Sequence, residues 1–450
     1  MGTMVEIPLW ALVLIVLFAA VTFASHFLFP SVRWFFRRRM EKVVARLNER
    51  LERPIQPFKL ARRHDMIQRL IYDPEVSKAI AAHAKARGIP ENVAFEHARA
   101  YAREIVPSFS ASLYFGFAIR VTRWLSRALY DVHLGPHDEA ALRRIDRDDT
   151  LVFVINHRSN MDYVLVTYLA AERSALSYAV GEWARIWPLS RLIRAMGAYF
   201  IRRKSRDELY RRVLARYVRM ATDGGVAQAV FPEGGLSLTG EVQQPRLGLF
   251  KYIVEGHDTA ARDVVFVPVS LNYDRVLEDR ILVTAGQTGE RRFRARISVV
   301  LRFIARSLWL RVRGRYHRFG TASVNFGTPL ALSGFKGNVD ELAEELMQRI
   351  KRNVPALPVP LVAAALLRSG GAMSRAELEA DVAQTLASLP QGQCPCDSAA
   401  DLVVQGMKAL KTRGLVSEGE DGVRVVEGEK PLLSFYAASV AHLTGASQAS

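Results

Sequence analysis

Cysteine is nearly absent from the 450-residue chain: there are two, Cys394 and Cys396, with Pro395 between them. Two thiols so placed build no disulfide framework and cannot alone complete a four-ligand structural zinc site. No metal ion and no resident cofactor is therefore expected. A G-x-S-x-G elbow is missing as well, which excludes the usual serine nucleophile of α/β-hydrolases. No internal repeat is visible. Acidic residues are absent from 291–318, which carries ten Arg, and scarce in 31–63, where eleven Lys/Arg face three Glu. These stretches are net +10 and +8, together more than the +17 of the whole chain. Charge concentrated in this way implies a polyanionic partner, either nucleic acid or an anionic membrane face.

The third absence decides between them. From Ile7 to Phe29 there is no Asp, Glu, Lys or Arg. As a helix this run reaches about 34 Å, enough for a hydrocarbon core of about 30 Å. A cleaved signal peptide needs a basic start and a shorter apolar stretch; here only Glu6 precedes the run, and Arg37, Arg38 and Arg39 follow it. The expectation is a retained anchor over residues 1–30. The excess of basic residues after it places the remainder on the cytoplasmic face, and residues 31–130 become a basic, helical, membrane-proximal region contacting anionic lipids. Within it, prolines at 54, 57, 90 and 107 break the helices, and the uncharged run Phe109–Ile119 is too short for a second span. On a helical wheel of 299–313, Arg302, Arg306 and Arg313 form a narrow stripe, while Arg311 falls opposite. This suits either a membrane interface or the solvated face of a domain helix.

With 50% hydrophobic and 24% charged residues the chain is core-forming, and its length allows two or three domains. From about 150, short β-rich runs (151–155, 226–231, 264–270, 322–326) alternate with helical stretches. This predicts an α/β domain with a mostly parallel sheet over 131–355. Pro355–Pro360 reads as a linker. Residues 356–450 read as a small helical domain, with a capping box at Ser374–Glu377, a second helix near 399–412 ended by Gly414, and a hairpin around Gly422. That order resembles a winged helix. Residues 374–429, however, hold ten acids against five bases, the wrong sign for a nucleic-acid face, so no nucleic-acid partner is expected.

The candidate chemistry lies in Asn156-His157-Arg158-Ser159-Asn160-Met161-Asp162. An apolar strand ending before His157 and a helix capped by Ser159 or Asn160 would place the imidazole at the carboxyl edge of the sheet, where open α/β sheets bind ligands. Asp162 can then hold one ring nitrogen and leave the other as a base. Spacing alone is weak: His133 and Asp138 have the same separation, around Gly135-Pro136, and read as a surface turn.

The neighbours add weight. In order follow GAYFIRR (197–203), VFPEGGLSLTG (230–240) and VPVS (267–270) with Tyr273-Asp274-Arg275; LVAAALL (361–367), RGLV (413–416) and PLLSFYAASVAHL (431–443) close the series. With HRSNMD, this set resembles the glycerol-phosphate acyltransferase superfamily, most closely its glycerol-3-phosphate and dihydroxyacetone-phosphate branch. The resemblance implies transfer of an acyl group from acyl-CoA or acyl carrier protein to glycerol 3-phosphate. His157 would be the general base, Asp162 its partner, and Arg158, Ser159, Arg202, Arg203, Glu233, Gly234 and Gly235 the substrate-binding residues. One departure stands out: the branch carries arginines in its third motif, as in EGGRSRTG, where this chain has Leu236 and Leu238. Either Arg246 or Lys251 replaces them, or the acceptor is lysophosphatidate or another lysolipid. A catalytically dead, membrane-anchored binding protein is the reading from another class. Oligomeric state is not legible.

Overall fold

The computed structural model describes residues 8–135, 138–169, 174–181, 189–202, 205, 207–289, 318–420 and 422–444, with backbone alone at 20, 21, 23–37 and 40. The chain divides into two compact units, one through Ile55 and one from Gln56.

The first unit is a continuous helix, Leu9–Arg50. Its early apolar side chains are exposed, from Leu9 and Trp10 to Phe18. Among the described residues no helix is long and apolar enough to cross a membrane. The expected anchor runs into side chains at 20, 21 and 23–29 that lie outside the described residues.

The second unit is built on one eight-stranded sheet. β1 is Asp131–Leu134, β2 Thr150–Ile155, β3 Ser177–Val180, β4 Tyr199–Phe200, β5 Gln228–Val230, β6 Val264–Tyr273, β7 Thr321–Phe326 and β8 Leu330–Ala331. The order is β1-β7-β6-β2-β5-β3-β4, with β8 also on β6. Every residue of β2 and β6 is buried, as expected of strands covered on both faces. Leu151, Phe153 and Ile155 join one hydrophobic cluster and Val152 and Val154 another; this period-two alternation puts a core on each side of the sheet. The helices Pro74–Arg87, Glu91–Ile105, Glu208–Asp223 and Val339–Arg352 contribute to the second cluster. The helices Met161–Leu169, Pro358–Arg368 and Lys430–Ala437 contribute to the first.

The sheet is mostly parallel: β2 pairs in parallel with β5 and β6, and β3 with β4 and β5. β7 runs antiparallel to β6, and β1 is parallel to β7. His133 is therefore not in a surface turn. It lies in β1 opposite Ser323, while Asp138 caps the helix Glu139–Arg144 by accepting from the Ala141 amide at 2.8 Å. The two do not form a site.

Pro355–Pro360 is not a linker either. Residues 354–360 are all buried, and Pro358 occupies the first position of the helix Pro358–Arg368, where proline's missing N–H costs nothing. Asp274, just past β6, accepts from the Val359 amide at 2.9 Å and the Thr321 amide at 2.7 Å. Beyond it, Ser374 and Glu377 form the expected capping box, and Ala399–Thr412 ends near Gly414 at φ +68°. β10 (Val416–Gly419) and β11 (Gly422–Val425) make the hairpin, with β9 (Ala372–Met373) beside β11. The arginine-rich 291–317 lies outside the described residues.

Candidate active site

β2 ends because Asn156 takes over its pairing. The Asn156 side chain accepts from the Leu271 amide at 2.7 Å and donates to the Leu271 carbonyl at 3.0 Å. The amide group thus mimics one more peptide of the ladder, and the backbone is released to turn at His157. β5 ends on the same edge, since it is parallel to β2 in a register that sets Val154 against Val230. The turn after β2 and the turn after β5 therefore meet: the Ser237 amide donates to the His157 carbonyl at 2.9 Å.

His157 and Asp162 come together as expected, both buried. His157 Nδ1 lies 2.9 Å from Asp162 Oδ2. That oxygen also accepts from the amides of Arg158 at 2.7 Å and Ser159 at 3.0 Å. An oxygen ringed by donors fixes the ring proton on Nδ1 and leaves the lone pair on Nε2. Nε2 has no hydrogen-bond partner among the described residues. The ring is held flat by Phe231, with centroids 4.3 Å apart and planes inclined at 33°, and edge-on by Tyr163 at 5.4 Å.

The other carboxylate oxygen has a partner that sequence reading missed. The Tyr273 hydroxyl donates to Asp162 Oδ1 at 2.7 Å. Tyr273 is fully buried; burial, reinforced by the Asp162 charge, pushes its phenol well above the ordinary value, so it stays a donor. The signal was available in strand length. Ile155 pairs with Val269, so β6 runs four residues past the end of β2 and carries Tyr273 over the turn.

Two more acids hold the same turn. Glu233 accepts from the His157 amide at 2.9 Å through Oε1 and from the Gln243 amide at 3.3 Å through Oε2. Burial pushes its carboxyl up to about 8, against the pull of these two amides. Glu278, also missed, accepts from the Ser159 hydroxyl at 2.8 Å, the Asn160 side chain at 2.9 Å and the Asn160 amide at 3.3 Å. Burial raises its carboxyl as well.

The remaining expected residues are placed as follows. Arg158 is buried and turned inward. It donates through Nη1 to the Gly240 carbonyl and lies over the Phe435 ring at 5.2 Å. Ser159 faces Glu278. Gly234 makes the turn after β5 at φ +67°, and Gly235 follows it. Leu236 and Leu238 pack against the core. Arg202 stands just beyond β4, at the same sheet edge but three strands from β2, roughly 14 Å at about 4.8 Å per strand. Its guanidinium binds Glu104 through two contacts, 2.9 and 2.7 Å, between the rings of Tyr101 and Tyr210 at 5.1 and 5.3 Å. Arg203 lies outside the described residues. Among the described residues no group of three or more His, Cys, Asp or Glu could hold a metal ion.

Residues 138–272 match the family model described as Acyltransferase, and residues 309–446 match the Glycerol-3-phosphate acyltransferase C-terminal region. A Mycobacterium tuberculosis protein named plsB1 is 29% identical over 381 residues, 79% of this chain and 59% of that one. The glycerol-3-phosphate acyltransferases of Pseudomonas putida and Xanthomonas campestris are each 27% identical, covering 85% and 91% of this chain and 49% of theirs. This chain thus spans about half the length of the curated relatives it matches. A solved structure, the 1-acyl-sn-glycerophosphate acyltransferase PlsC of Thermotoga maritima, shares 20% identity at a TM-score of 0.34, over 53% of this chain and 76% of that one. One model thus covers the His157 motif and another the C-terminal region, in that order, and the chain is similar in both to glycerol-3-phosphate acyltransferases.

Proposed function

We propose that this protein transfers an acyl group from an acyl thioester, on coenzyme A or acyl carrier protein, to the hydroxyl of glycerol 3-phosphate. The observation that carries this reading is the His157–Asp162–Tyr273 chain, which leaves Nε2 as the one open ring nitrogen. Nε2 takes the proton of the acceptor hydroxyl as its oxygen adds to the thioester carbonyl. The C–S bond then breaks, and the proton passes from Nε2 to the departing thiolate. The donor is already activated, so the protein need only position and deprotonate the acceptor. Incubation with a radiolabelled acyl thioester and a panel of acceptors tests this. Glycerol 3-phosphate is expected to be acylated and glycerol not. Acylation of lysophosphatidate alone would favour the second reading, which the core-packed Leu236 and Leu238 support by removing two cations from the turn.

The same proposal places the protein at a membrane. Its support is the uncharged run Ile7–Phe29, of which residues 9–29 lie on the helix Leu9–Arg50, and the basic stretches 31–63 and 291–318 of the sequence. The full chain should float with neutral and anionic vesicles alike. A chain lacking residues 1–30 should float only with anionic vesicles, and salt should release it, because exposed charges are screened over about 8 Å at physiological ionic strength. Equal flotation of the truncated chain with both vesicle types would defeat the electrostatic part.

A further inference from the structure

We infer that Arg246 binds the acceptor's phosphate, in the role that arginines of the third motif would otherwise fill; this rests on the acceptor reading above. The turn after β5 has lost its own cations, since Leu236 and Leu238 pack against the core. Arg202 is bound at two points to Glu104. Arg246 is different. It is exposed, and its side chain makes no hydrogen bond or ion pair among the described residues, so the guanidinium keeps all five donors for a ligand.

Its position is built rather than incidental. The segment 243–246 is strapped across the turn. The Gln243 amide donates to Glu233 Oε2 at 3.3 Å and the Arg246 amide to the Pro232 carbonyl at 2.7 Å. The Arg246 side chain then crosses Gly234 so closely that a methyl there would stand 2.9 Å from its Cδ and 3.6 Å from its Cβ. Glycine at 234 thus serves twice, for its φ of +67° and for the path of this side chain. Glu233, the neighbour of that glycine, accepts from the His157 amide at 2.9 Å. Arg246 is in this way tied to the base through one turn. A guanidinium there can take two phosphate oxygens in parallel, which fixes the acceptor's orientation as well as its charge.

A coenzyme A donor also carries phosphates, and the two sources are separated by kinetics with both substrates varied. In full-length Arg246→Ala, KM for glycerol 3-phosphate should rise roughly 10- to 100-fold, as for loss of a hydrogen bond to a charged group. KM for acyl-CoA should stay within twofold. Leu236→Arg placed in the Arg246→Ala chain should recover much of the acceptor KM. A rise confined to the acyl-CoA KM, absent when acyl-pantetheine is the donor, would assign Arg246 to the donor and overturn the inference. So would an unchanged acceptor KM in a wild-type background that requires the phosphate, and that result leaves the acceptor reading intact. A wild-type protein that acylates glycerol as fast as glycerol 3-phosphate overturns both.

Discussion

His157→Ala should lower kcat by roughly 10²- to 10⁴-fold, the usual worth of a positioned general base, while the protein stays folded. Among the described residues its side chain donates only to Asp162, and its backbone contacts to Glu233 and Ser237 survive the substitution. Asp162→Asn should fall within the same range, because an amide cannot accept from His157 Nδ1, Arg158, Ser159 and Tyr273 as the carboxylate does. Tyr273→Phe removes one donor from that carboxylate and should cost roughly 10- to 100-fold in kcat, with both KM values nearly unchanged. The cycle is the informative part. If Tyr273 acts through Asp162, Tyr273→Phe should cost little more once Asp162→Asn is present; additive losses would make Tyr273 merely structural. His133→Ala, on β1, should retain activity. Near-wild-type turnover by His157→Ala would remove the mechanism altogether.

Gly240→Ala should be the most damaging small substitution for stability. Gly240 has φ +92°, where an L side chain is strained, and an added methyl would lie 1.9 Å from the Phe435 carbonyl oxygen and 2.8 Å from its carbon. Those are backbone atoms of the helix Lys430–Ala437 and cannot swing aside. Backbone strain of about 1–3 kcal/mol and overpacking of about 1–3 kcal/mol together predict a loss of roughly 2–6 kcal/mol in a denaturant titration. Activity should fall with it. The shift displaces Phe435 from Arg158 and disturbs Tyr436, whose hydroxyl bonds Asp279 at 2.5 Å. Gly116→Ala, with nothing within 4 Å of the added methyl, is the control that should leave stability near wild type. A Gly240→Ala protein as stable as wild type would mean that the helix yields freely.

These sites mark what the sequence could and could not convey. β2 and β6 were legible because strands buried on both faces write themselves as unbroken apolar runs. His157 and Asp162 were legible because five positions and one tight turn bring them together locally. The direction of β7 was not, since an apolar run carries no sign of which way its neighbour points. Pro355–Pro360 misled for a related reason: prolines opening a buried helix look, in one dimension, like prolines of a linker. Tyr273 and Glu278 reach the His157 turn from more than a hundred residues away, and Arg158 is hidden by a helix from the far end of the chain. Only folding supplies those partners.

The His157 turn has one more consequence. The peptide N–H groups of His157, Arg158, Ser159 and Asn160 all point at carboxyl groups: Glu233 for the first, Asp162 for the next two, Glu278 for the last. A run of backbone donors beside the proposed base would ordinarily be the place to look for an oxyanion hole. Here it is full, since each of the four N–H groups is already taken by a carboxyl oxygen of the protein. Under the proposed acyl transfer, the charge gathering on the thioester carbonyl would have to be met by donors outside this turn, which would set base and oxyanion stabiliser on separate segments of the chain.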